Sequence, residues 1–161
     1  MVGYCKHLRW WYIDFSIKEY IPIESVQVDI WALMALPSRG AVLHEMVHRG
    51  LSFVFYKQLA VILDISKSEL RHYLFMSSAT LTRRSMAGRL SVAEGDRLCT
   101  LISVLNAAHE LFEGDLRAAR EWMKSPAFGL DSRAPLDMLG TRVEAQAVID
   151  LIGRLENGTH A

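Results

Sequence analysis

The chain has 161 residues, enough for one domain or two small ones around a true hydrophobic core. Its 51% apolar and 22% charged residues are the profile of an ordered, soluble globular protein rather than a disordered one, and no run is apolar and long enough to suggest a signal peptide or a membrane span. The formal charge is zero, yet residues 39–90 carry eight Lys/Arg against three Asp/Glu, while residues 91–161 carry seven against eleven. A basic module followed by an acidic one points to two different partners. Cys5 and Cys99 have no paired spacing, so neither a disulfide framework nor a cysteine zinc site is expected, and the expected location is the cytoplasm.

Residues 1–38 form an N-terminal extension of unclear role. "RWWYIDFSIKEYIPI" mixes aromatic and β-branched residues. It reads equally as a strand-like arm against the body or a partner, or as a variable extension after an upstream start codon.

From Ala41 the pattern is helical. A short helix over 42–49 stops at Gly50, a natural C-terminal cap. A second covers 53–63, with Leu59, Ile62 and Leu63 on one face. Ser66-x-x-Glu69 forms a capping box that opens a helix of under three turns, with Leu70 and Leu74 inward. After a break near Met76-Ser77, "SSATLTRRSM" starts another short helix, capped by a serine, with Leu81 buried. Two short helices around a tight turn, the second carrying paired arginines, are what a helix-turn-helix needs.

Gly88 closes this unit. Ser91-x-x-Glu94 is a second capping box, opening a helix to about residue 113 with Leu98, Leu101, Ile102, Leu105 and Phe112 as its apolar stripe. A further helix spans about 116–124, where Leu116, Trp122 and Met123 read as core, with Trp122 open to the alternative of an interface anchor. Residues 126–135 are a loop, and Pro135 suits the first turn of a short helix. Thr141-x-x-Glu144 is a third capping box for a last helix running to about residue 156. The fold class is therefore all-α: a helix-turn-helix module over 39–90, followed by a small C-terminal helical domain over 91–161.

Several separated motifs in this order resemble one family. "SSATLTRRSMAGRLSVAEGDRL", "AAREWMKSP", "APLDML" and "VIDLIGRLENGTHA" are similar to the Xre/MbcA/ParS antitoxins, partners of RES-domain toxins in bacterial toxin–antitoxin pairs. The resemblance covers roughly residues 41–161. It implies an N-terminal helix-turn-helix on the operon's own promoter and a C-terminal domain that binds the toxin and masks its NAD-consuming active site. The family's threonine and twin arginines match Thr80, Arg83 and Arg84. Its "rLs-x-x-E-x-d-R" segment matches Arg89, Leu90, Ser91, Glu94, Asp96 and Arg97, and its Trp before Ser/Thr-Pro matches Trp122, Ser125 and Pro126. Four departures stand out: Arg71 where a small residue is usual, Phe75 at a turn position often filled by Gly, Asp131-Ser132 for a common Gly-Gly, and Ala134 for a Thr cap. The chain also ends Thr159-His160-Ala161 where most members end near an aromatic.

The DNA-contacting residues expected on this basis are Ser78, Ala79, Thr80, Thr82, Arg83 and Arg84, with Lys57, Lys67 and Arg71 as further candidates for phosphate. The toxin-contacting residues are Arg154, Glu156, Asn157, Thr159 and His160, at the end of a helix whose apolar stripe is wider than one seam needs. A homodimer on DNA is expected, with no cofactor and no metal.

Two other readings compete. A stand-alone transcriptional regulator would use the acidic half to dimerise or sense a ligand. A small metalloprotease would use His44-Glu45-x-x-His48, whose histidines share a helical face suited to zinc. The extended metzincin pattern wants His where Val54 stands, and Glu69 already fits a capping box. The motif is therefore read as an ordinary surface helix, and no enzyme is expected.

Overall fold

A computed structural model describes residues 29–158 of the chain. Short polar side chains open most of its helices. Asp29 caps α1 (Ile30–Leu33), Ser52 caps α3 (Phe53–Leu63), Ser66 caps α4 (Lys67–Tyr73) and Ser77 caps α5 (Ser78–Ala87). Ser91 caps α6 (Val92–Leu111), Asp115 caps α7 (Leu116–Lys124) and Thr141 caps α8 (Arg142–Glu156), each accepting from a backbone N–H that would otherwise lack a partner. Among these described α-helices only α2 (Ala41–His48) starts without such a cap, behind Gly40. The capping boxes at Ser91 and Thr141 are reciprocal, whereas at Ser66 only the serine half forms.

Helix α6 organises the rest. Leu98, Leu101, Ile102, Val104, Leu105 and Ala108 are all buried, spread so widely around the helix that α1, α2, α7 and α8 all pack on it. At 20 residues it is about 30 Å long. A continuous apolar core therefore runs from Ile30 through Leu63 and Leu105 to Ile152. The last part of the expected N-terminal extension belongs to this core. Ile30, Trp31, Met34 and Leu36 are buried, and the Ile30 amide donates to Asn106 Oδ1 on α6 at 2.9 Å. The reading of a strand-like arm over residues 1–28 lies outside the described residues.

Two expectations need correcting. Leu81 is only half-buried, and α5 has no fully buried side chain. The loop after α7 is also more structured than a plain connection. A 3-10 turn at Phe128–Leu130 seats Leu130 in the core, a bridge joins Ala127 to Arg133, and a second turn follows at Pro135–Met138. Asp131 and Ser132 both have positive φ (53° and 60°), the conformation that the family's Gly-Gly suits. Among the described residues no helix is long and apolar enough to cross a membrane.

Candidate functional site

Helices α4 and α5 are joined by the turn Leu74-Phe75-Met76. The Met76 amide donates to Arg71 O at 2.9 Å, and Arg71 Nη1 returns a bond to Met76 O at 3.2 Å. Arg71 is thus tied into the turn, which leaves it poorly placed for phosphate. From the other side Arg97 Nη1 donates to Leu74 O at 3.2 Å. Leu70, Leu74 and Met76 are buried beneath. Tyr56 locks α3 to α4 by donating its hydroxyl to Lys67 O at 2.5 Å, and burial pushes its phenol up to about 12.

On α5, the Ser77 hydroxyl accepts from the Thr80 amide and donates to Thr80 Oγ1, which fixes the first turn. Ser78, Ala79, Thr82 and Arg83 are exposed, and Thr80 is half-buried. The Thr82 hydroxyl donates to Ser78 O at 3.1 Å. A shallow cleft of about 290 Å³ between Lys67, Phe53, Leu81, Thr82, Ser85 and Met86 sets Lys67 beside the outer face of α5. Lys57 instead holds its ammonium 5.8 Å over the Phe53 ring, a cation–π contact.

The two arginines expected to act alike point in different directions. Arg83 faces solvent, while Arg84 is half-buried with Nε 2.7 Å from Glu94 Oε2. The approach is bent, so it is an ion pair rather than a linear hydrogen bond. Helical periodicity puts both on α5, but it carries no information about the acidic neighbour that α6 supplies. Glu94 is nearly buried and also closes the capping box at Ser91. Burial alone would raise its carboxyl. The Ser91 amide and hydroxyl together with the Arg84 guanidinium outweigh that and hold it below the usual carboxylate value.

At the far end of the chain, α8 turns Ala145, Val148, Leu151 and Ile152 inward. Arg154, Glu156 and Asn157 are exposed at its end, and Asn157 donates its side-chain amide to Gly153 O. Thr159 and His160 lie outside the described residues. Among the described residues four large apolar side chains of this half stay in water, Val92, Phe128, Val143 and Leu155. Trp122 is half-buried against Phe112, with ring centroids 6.3 Å apart.

The histidines of the zinc-like motif sit on the exposed face of α2, and Glu45 pairs with Arg49 at 2.5 Å. Among the described residues no three His, Cys, Asp or Glu side chains cluster as metal ligands would.

Comparison with known proteins gives the two halves their context. Residues 42–102 match the antitoxin Xre-like helix-turn-helix domain, and residues 107–158 match the antitoxin Xre/MbcA/ParS C-terminal toxin-binding domain. An antitoxin Xre of Yersinia enterocolitica is 37% identical over 145 residues, covering 88% of this chain and 98% of its own length. The chain belongs to the Xre/MbcA/ParS family of antitoxins. A second antitoxin Xre, from Photorhabdus laumondii, is 29% identical over the same shares of both chains. Membership makes this protein the antitoxin of a toxin–antitoxin pair, a regulator rather than an enzyme. The first match takes in α2 to α5 and half of α6. The second takes in the end of α6 with α7 and α8, so α6 serves both.

Proposed function

We propose that this antitoxin neutralises a RES-domain toxin that consumes NAD, by covering its active site, and represses its own operon by laying α5 in the major groove. In this reading residues 39–90 contact DNA, residues 91–161 contact toxin, and residues 1–38 contribute at least α1 to the shared core. The supporting observation is the occurrence in one chain of an Xre-like helix-turn-helix match and a toxin-binding match. Ser78, Ala79, Thr82 and Arg83 are the exposed side chains of α5 that reach bases and phosphates, with Thr80 fixing the first turn and Lys67 on the flanking phosphate. Two copies read two half-sites as a dimer, as helix-turn-helix proteins do.

The end of α8, with Arg154, Glu156, Asn157, Thr159 and His160, enters the toxin's NAD cleft. A tail ordered in a cleft costs roughly 1–2 kcal/mol per residue, so a tail that plugs has to be anchored close behind. The buried Leu151 and Ile152 provide that anchor. The test is co-expression with the product of the neighbouring gene. A stable complex, with growth and cellular NAD restored, is the expected outcome. A neighbour that does not co-purify and leaves NAD untouched would reject the RES assignment.

A further inference from the structure

We propose that Arg84 is a positioning residue of the DNA-reading helix: held by Glu94, its guanidinium fastens the C-terminal half of α5 to the first turn of α6 and sets the angle at which α5 meets DNA. This rests on the reading of α5 as the DNA-contacting helix.

Three observations carry it. The first is how little else holds α5, which has no fully buried side chain and reaches the core through the half-buried Leu81. The second is the character of the pair. Of the four ion pairs among the described residues, Arg84–Glu94 is the most buried, with side chains 24% and 10% exposed, and it alone joins two helices. The third is where Glu94 stands. One of its oxygens, Oε2, faces both Arg84 Nε and the Ser91 amide, 2.7 Å from each, so the carboxylate that meets the arginine is also held by the capping box. The chain between the helices is fixed as well. Gly88 ends α5 with φ 69°, and the Leu90 amide donates to Leu51 O at 2.8 Å. A tight, anchored connection at one end of α5 and an ion pair one turn back define its direction. An arginine paired in this way is not offered to a phosphate.

The test separates a positioning role from phosphate binding by salt dependence. Removing a side chain that neutralises one phosphate lowers the slope of log affinity against log salt by about one. Binding of the full-length protein to a duplex spanning the region upstream of its own gene is measured at graded salt for Glu94→Gln, Arg84→Met with Glu94→Gln, and Arg83→Ala. Glutamine still closes a capping box, so Glu94→Gln removes the charge and leaves the helix start intact. The double variant removes both charges and leaves none buried alone, which keeps it foldable. Toxin binding by the same preparations reports that each is folded.

Positioning predicts that both Glu94 variants bind about tenfold more weakly, the worth of one reading contact, with the slope of the unaltered protein. Arg83→Ala lowers the slope by about one. Glu94→Gln binding as the unaltered protein does would overturn the positioning role, and a slope lower by about one in the double variant would overturn it by making Arg84 a phosphate ligand. Arg83→Ala with affinity and slope unchanged would reject α5 as the reader, and the positioning role with it.

Discussion

The ring of Phe75, in the turn between α4 and α5, lies on Gly140, ahead of α8: a Cβ at residue 140 would stand 2.6 Å from Phe75 Cζ. Phe75 has φ 54°, a conformation that costs most side chains about 1–2 kcal/mol. The turn where the family often has Gly is thus occupied by an aromatic resting on the toxin-binding half. Gly140→Ala pushes against the far end of a ring that is 59% exposed and can swing into water. The expected loss is modest, about 1 kcal/mol, measured by chemical denaturation.

Gly50→Ala is the contrasting case. Its Cβ would meet Leu90 O at 2.5 Å, a backbone atom of a residue whose amide is bonded to Leu51 O, and Gly50 has φ 83°. Neither obstacle can swing aside. The same methyl group is expected to cost at least about 2 kcal/mol here, so the two alanine variants differ by their unfolding midpoints in denaturant.

Glu94 makes stability depend on acid. Its folded-state carboxyl is held below the ordinary 4.5, so its contribution is complete above that value and is lost as pH falls through the depressed one. Melting temperatures of the unaltered protein and Glu94→Gln are expected to differ at neutral pH and to converge as pH falls through the depressed value of the Glu94 carboxyl. A difference that persists unchanged into acid would show that the charge of Glu94 contributes nothing.

His44→Ala combined with His48→Ala is expected to change stability by less than about 0.5 kcal/mol, since both side chains are exposed. Promoter and toxin binding are expected to persist. Stoichiometric zinc in the purified protein, absent together with function in this variant, would revive the metalloprotease reading.

Helix boundaries were legible wherever a side chain or a glycine marks them. α7 and α8 follow the sequence reading because Asp115, Thr141 and Glu144 act within a few residues of their own position. α1 was not legible, because its four residues have too few turns to show a period and are held by Asn106, 76 residues away. The exposed face of α5 follows from its period, which places Thr82 and Arg83 outward. The direction of Arg84 does not, since it depends on Glu94 arriving from the next helix. Phe128 is another such case: its 88% exposure depends on the Ala127–Arg133 bridge and on Leu130 holding the loop down.

In the proposed mechanism the end of α8 silences the toxin while the helical body binds it. The direct measurement is NAD turnover by the neighbouring gene's product with equal concentrations of three proteins: the full chain, the chain ending at Glu156, and the chain lacking residues 142–161. Plugging predicts that the full chain stops turnover, the form ending at Glu156 still binds but leaves NAD consumption running, and the shortest form makes no complex. Full inhibition by the form ending at Glu156 would contradict plugging and leave masking by the helical body in its place.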